Sequence, residues 1–252
     1  VPETAYDAPK SIRLLNVRVE NVTYDETLQW VAKKISHGAV HQICTVNPEF
    51  IMRAQSDGQF AKVLEQSGLN VPDGVGVLWA AKWQGHKLHE RVAGSTLLPM
   101  MCALAAEHCW RVFFLGARKG VAEMCASIMQ HQFPSLNIAG AIAGSPEPQH
   151  DESLLEQIRA SDPHIIFVAY GAPKQECWLA RNLPLLHTET MSHGVVGIGV
   201  GGAFDFIAGV RRRAPEWAQR LGLEWLHRLV QEPWRWRRQY WVLFVLRVIF
   251  GR

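Results

Sequence analysis

Residues 165–178 read IIFVAYGAPKQECW, and the fold turns on them. Residues 165–169 are an unbroken apolar run, the composition of a strand covered on both faces. The run ends at Gly171-Ala172-Pro173, after which Lys174, Gln175 and Glu176 open a helical segment. A strand that passes straight into a helix is half of a βαβ unit. The same hand-over recurs along the chain. Strands are expected over 12–19, 41–46, 69–72, 111–116, 136–142, 164–170 and 194–200. Helices are expected over 23–37, 48–67 with a break near Gly58, 95–109, 119–132, 151–161 and 173–186, with an apolar helix after Gly74. The first of these opens with a Thr23-x-x-Glu26 capping box and keeps a helical stripe through Leu28, Val31 and Ile35. Such alternation predicts an α/β fold with a mostly parallel sheet flanked by helices. Ligands of such sheets sit outside the carboxyl ends of the strands, so the residues just past each strand are the candidates.

The 252 residues, 48% hydrophobic and 19% charged, have ordinary globular composition, which excludes wholesale disorder. The net charge of +3 hides an asymmetry. Residues 211–252 carry ten arginines, no lysine and three glutamates, a local +7, which leaves −4 for the first 210. Five of the ten tryptophans (217, 225, 234, 236 and 241) fall in the same segment. We therefore divide the chain into a Rossmann-like α/β core, 1–209, and a helical C-terminal appendage, 210–252, suited to an anionic partner. The five cysteines (44, 102, 109, 125 and 177) form no C-x-x-C pair, which points to reduced thiols in a cytosolic setting. The eleven histidines have no ligand spacing, and no metal site is expected.

Several stretches at strand ends carry chemistry. TVNPEF (45–50) puts the Thr45 hydroxyl and Asn47 amide where they can bind a sugar or phosphate; Asn47 is equally suited to cap the next helix. VPDGVG (71–76) places Asp73 before a helix, either as a turn residue or as a carboxylate able to take a proton from a hydroxyl. ERVAGST (90–96) sets Arg91 beside the backbone N–H groups of a helix start, an anion cradle or else a surface ion pair. FFLGARKGVAE (113–123) and GIGVGGAFDFIAG (197–209) are glycine-dense turns after strands. Gly116, Gly120, Gly199 and Gly201 could admit a nucleotide there or simply permit tight packing. In GAPKQE, Lys174 and Gln175 suit a phosphate or sugar hydroxyl, while Glu176 is placed to complement the helix dipole.

The appendage ends in an apolar run from Tyr240 to Phe250, interrupted by Arg247. A spanning helix needs about 20 residues, so this run does not cross a bilayer. Arginine mixed with tryptophan belongs at headgroup level, and we read the tail as lying on an anionic membrane surface rather than packing as a core or oligomer helix.

Taken in order, TVNPEF, VPDGVG, ERVAG, FFLGARKGVAE, YGAPKQE, GVGGAFDFIAG and RAPEW…GLEWLHRLVQEPWRWRR resemble the WecG/TagA/CpsF family of bacterial glycosyltransferases over residues 12–240. The resemblance implies inverting transfer from a UDP-sugar, which is a substrate and not a cofactor, to a polyprenyl-diphosphate-linked sugar at the cytoplasmic face of the inner membrane. N-acetylmannosamine is the implied donor sugar, N-acetylglucosamine the acceptor, and surface-polysaccharide or teichoic acid synthesis the setting; no metal is implied. Asp73 matches the family's general base, Thr45, Asn47, Arg91 and Gln175 its pocket residues, and Arg228, Arg235 and Arg238 its diphosphate-holding arginines. Two departures bear on the sugar. Thr96 stands where many relatives have Asp, and AIAGSPEPQH (141–150) lacks their Gly-Tyr-Phe. Transfer of glucose or glucuronic acid to a longer lipid-linked glycan is thus an alternative. A nucleic-acid-binding module using the basic tail is a second, although the family reading involves no nucleic acid. The sequence leaves a homo-oligomer open.

Overall fold

The computed structural model describes residues 9–186 and 193–215, with Ala218, Phe244, Arg247 and Val248. It opens with a hairpin, β1 (Ser11–Leu14) and β2 (Val17–Glu20), then α1 (Tyr24–Ser36), β3 (Val40–Val46), α2 (Pro48–Ala54), α3 (Gly58–Gln66) and β4 (Leu69–Pro72). α4 (Val75–Trp83) and α5 (Gly94–Glu107) follow, then β5 (Arg111–Gly116), α6 (Val121–Gln132) and β6 (Asn137–Ile142). A 3-10 turn leads to α7 (Asp151–Ser161), β7 (Ile165–Ala169), α8 (Lys174–Leu186), β8 (Val195–Gly199) and α9 (Ala203–Ile207). β3 to β8 form one six-stranded sheet in the order β4-β3-β8-β7-β5-β6, and each pairing is parallel.

The expected α/β architecture is thus observed, and side-chain alternation explains it. Along β5, Val112 and Phe114 enter one core while Phe113 and Leu115 enter the other; along β7, Ile165 and Phe167 oppose Ile166 and Val168. Each strand is apolar on both faces because helices cover both. The first face is closed by α1, α5, α6 and α9 through Val31, Leu97, Met101, Cys125 and Phe204. The second is closed by α2, α3 and α4 through Phe50, Phe60 and Val77, and by α7 and α8 through Leu155, Trp178 and Leu179. The Thr23–Glu26 capping box is present, and the break near Gly58 is real: Asp57 caps α3 by accepting from Phe60 N at 3.0 Å.

One expectation is corrected. Residues 12–19 are not a strand of the main sheet but the antiparallel β1–β2 pair, turned at Leu15 and Asn16 with φ of +47° and +68°. Two successive positive φ values are what a tight two-residue hairpin needs. The hairpin lies against the exposed edge of β4, where a Glu20 carboxylate oxygen accepts from Asn70 N at 2.6 Å. Arg18, 3.2 Å from that carboxylate, accompanies it into the interior. An edge N–H that would otherwise invite another strand is thereby occupied.

β3 and β8 adjoin at the centre, with Val40 to Ile43 in register with Val195 to Ile198. From β3 the chain moves outward to β4, whereas the later strands build the other side and return inward to β8. The crevice at the carboxyl ends of β3 and β8 is therefore the topological switch point. The neighbouring edge is locked by Gln175. Its side-chain oxygen accepts from Gly171 N and from Gly201 N, each at 3.0 Å, and so ties the loops that follow β7 and β8. Its amide nitrogen donates to Glu176 Oε1 at 2.7 Å. Glu176 is fully buried, and its other oxygen, Oε2, has no hydrogen-bond partner. Burial pushes this carboxyl up to about 7, although the hydrogen bond from Gln175 acts the other way.

Two outcomes are expected. A carboxyl whose folded pKa of about 7 exceeds its ordinary 4.5 contributes stability at low pH that is lost as pH rises through about 7. Glu176→Gln removes that loss, so the urea midpoint of the variant relative to wild type should rise as pH increases from about 4.5 to about 7; parallel slopes would refute the buried-carboxyl account. Gly116 has φ of +111°, and an added Cβ would lie 2.8 Å from the Ala169 backbone. Gly116→Ala should therefore cost about 2–4 kcal/mol of unfolding free energy, read by denaturant titration.

Candidate active site

The crevice is built from three strand ends. β3 and β4 stay joined past their last paired residues because Asp73 N–H donates to Val46 O at 2.7 Å. Gly74, at φ +90°, then turns the chain into α4 and leaves the half-buried Asp73 side chain at the carboxyl edge. Thr45, on the first face of β3, is 6% exposed, and its hydroxyl donates to Gly199 O at 3.5 Å. α5 begins against it, since a Cβ on Gly94 would lie 3.4 Å from Thr45 Cγ2 and 3.7 Å from Val200 Cα. The N-terminus of α5 therefore opens at the ends of β3 and β8, where no side chain caps it. Asn47 caps α2 by accepting from Phe50 N at 3.0 Å through Oδ1. The cap leaves the Asn47 Nδ2 group for other use.

Arg91 lies in a segment fastened on every side. His89 N donates to Asn21 Oδ1 at 2.8 Å and Val92 N to Pro72 O at 2.7 Å. Tyr24 contributes twice, its backbone N–H donating to Glu90 Oε2 at 2.9 Å while its phenol oxygen accepts from Ala93 N at 2.8 Å. Burial raises the Tyr24 pKa; the Ala93 N–H and the Thr96 hydroxyl oppose that, and charges on Asp73 and Arg91 both reach the ring oxygen. Tyr24 thus ties the Arg91 segment to the crevice, with Thr96 beside it and the charges of Asp73 and Arg91 within reach. The Arg213 guanidinium donates to the Thr96 hydroxyl at 3.0 Å. The start of the C-terminal segment therefore reaches the crevice.

Of the residues singled out in the sequence, Thr45, Asn47, Asp73 and Arg91 converge here. Gln175 stands at the adjoining edge, where its side chain holds the two loops together. Gly199 is there for packing, because a Cβ would fall 2.5 Å from Glu176 Oε1; Gly201 offers its N–H to Gln175. Gly116 lies at the end of β5, two strands from β8, while Gly120 begins α6 in a left-handed conformation with open space around its Cβ direction. Lys174 forms an ion pair with Glu147 at 3.1 Å. Arg228, Arg235 and Arg238 lie outside the described residues. The sequence reading missed Tyr24, Arg213 and the buried Glu176. Arg213 stood in the RAPEW block, but Tyr24 carried no signal of its own beyond following the capping Thr23. Among the described residues no group of His, Cys, Asp and Glu is arranged to hold a metal ion, and no helix is long and apolar enough to cross a membrane.

Part of the tail is committed to the body. Phe244 and Val248, 1% and 9% exposed, pack into the same core as Phe50, Phe60 and the inner residues Val77, Ala80 and Ala81 of α4, while Arg247 between them is exposed. At these two positions the apolar run meets protein rather than a membrane surface.

The chain is 37% identical over 202 residues, 80% of its own length and 75% of the relative's, to N-acetylglucosaminyldiphosphoundecaprenol N-acetyl-beta-D-mannosaminyltransferase of Bacillus subtilis strain 168. It is 35% identical over 196 residues, 78% of its length and 73% of the relative's, to the protein of the same name from Bacillus spizizenii strain W23. The model of the glycosyl transferase WecG/TagA/CpsF family matches residues 12–252, crevice and basic tail alike, and the chain belongs to that family.

Proposed function

We propose that the protein transfers N-acetyl-D-mannosamine from its UDP conjugate to the N-acetylglucosamine of a polyprenyl-diphosphate acceptor, without a metal ion. The observation that carries this reading is Asp73 at the switch-point crevice, near a Tyr24 on which the charges of both Asp73 and Arg91 act. The acceptor hydroxyl attacks the anomeric carbon opposite the leaving diphosphate. The new C–O bond forms as the bond to UDP breaks, and Asp73 takes the hydroxyl proton. UDP departs with the electron pair, and cations stabilise its growing charge. Arg91, and Arg228, Arg235 and Arg238 of the tail, supply those cations in place of a divalent ion. Thr45 and Asn47 hold sugar hydroxyls. Gln175 acts through the loops at 171 and 201, which it keeps in register.

The shared name of both Bacillus relatives supports N-acetylmannosamine over glucose or glucuronic acid. That the family match extends through the basic tail speaks against a separate nucleic-acid module. A lipid-linked acceptor and the absence of a spanning helix among the described residues suit peripheral association with the cytoplasmic face of the inner membrane.

The test is UDP release in EDTA, with a lipid-diphosphate N-acetylglucosamine acceptor and a panel of UDP-sugars. Acceptor-dependent release from UDP-N-acetylmannosamine is expected, falling by about 10²–10⁴-fold in Asp73→Asn. Release from UDP-glucose or UDP-glucuronate alone would overturn the sugar, and full activity of the variant would overturn the base.

A further inference from the structure

α4 begins two residues after Asp73 and shows two different sides. Gly76, Val77, Ala80 and Ala81 are buried against the core. Trp79 and Trp83 point outward, 66% and 64% exposed. Four residues apart, they share one helix face, and Lys82 lies beside them. His86 and Lys87 follow, both exposed, and residues 74–89 contain no Asp or Glu. Among the described residues no other element exposes two large aromatic side chains. Indole rings with a clear apolar body and a polar N–H, set among lysines and free of acidic groups, match the headgroup region of an anionic bilayer.

We propose that the outward face of α4, with Trp79, Trp83, Lys82 and Lys87, is a docking surface for an anionic phospholipid bilayer. The proposal rests on the reading of a lipid-borne acceptor and adds to it where the body of the enzyme touches the membrane. The helix rise puts Trp79 and Trp83 ~6 Å and ~12 Å along the axis from the start of α4, which adjoins Asp73. The rings enter the headgroup layer, the lysines pair with lipid phosphates, and the base is held close to the plane from which the acceptor diphosphate emerges.

The experiment is co-sedimentation of the full chain with phosphatidylglycerol–phosphatidylcholine vesicles, comparing wild type, Trp79→Ser/Trp83→Ser and Lys82→Gln/Lys87→Gln. Turnover is followed in parallel on a vesicle-borne acceptor and on a water-soluble acceptor analogue. The tryptophan pair should lower vesicle binding about tenfold, and the lysine pair about fivefold per charge removed, with the lysine effect absent on pure phosphatidylcholine. Turnover on vesicle-borne acceptor should fall with binding, while turnover on the soluble analogue stays at the wild-type level. Unchanged vesicle binding in both variants overturns the proposal. Unchanged binding with a shift from dimer to monomer would assign the face to a second copy of the chain. Unchanged binding with a lowered melting temperature would assign it to packing within the chain. If wild type turns over neither acceptor, the glycosyltransferase reading fails, yet the vesicle comparison still decides the docking surface.

Discussion

The side-chain amide of Gln175 is the fastening on which the carboxyl edge of the sheet depends. Parallel strands all end in the same direction, so the backbone N–H groups just past them collect at one edge, and each needs a partner. Gln175 satisfies two at once, those of Gly171 and Gly201, and thereby fixes the spacing between the loops after β7 and β8. Its orientation is not free. The oxygen must face the two N–H groups, so the amide nitrogen must face inward, and Glu176 Oε1 is there to accept from it. Close packing then demands glycine at 199, where any side chain would collide with both groups. Three residues of two separate motifs, GAPKQE and GIGVGG, are thus one structural unit.

This unit explains which parts of the protein were legible in sequence. Strands buried on both faces must be apolar at every position, so IIFVA and VFFLG announced themselves. The Thr23–Glu26 box named a helix start because capping needs those residue types at that spacing. The β1–β2 hairpin hid, since Leu15-Asn16 is not the glycine-bearing pair that usually marks positive φ in a two-residue turn. Glu176 was misread for a related reason. A carboxylate in a first helical turn ordinarily faces solvent and the helix dipole, and nothing local reveals that α8 is pressed so tightly on β8 that the group is fully buried.

The crevice shows the same division. Asp73, Thr45, Asn47 and Arg91 could be singled out because they lie at or near strand ends and helix starts, and the parallel sheet brings such positions together. Tyr24 was missed because it begins a helix on the other side of β3 in sequence, and its part is to hold another segment. Its backbone and phenol grip residues 90 and 93, so the loop carrying Arg91 is set by an aromatic residue nearly seventy positions earlier. Contacts of that kind are products of tertiary packing and leave no periodic trace.

Hydrophobicity alone was the poorest guide to which face of a segment meets what. The run ending the chain was assigned with its arginines to a membrane surface, and Phe244 and Val248 within it are buried in the core behind α4. α4 itself was read simply as an apolar helix, yet it turns two tryptophans outward. The difference lies in what each stripe meets. Phe244 and Val248, one helical turn apart, find an apolar surface already formed by Phe50, Phe60 and Val77, and burial there removes them from water. Trp79 and Trp83 lie on the side of α4 opposite that surface, because Val77, Ala80 and Ala81 already occupy the inner one. An amphipathic helix has only one face to give the core. When its outer face is also aromatic and carries lysine, that face keeps a large exposed apolar area with positive charge beside it.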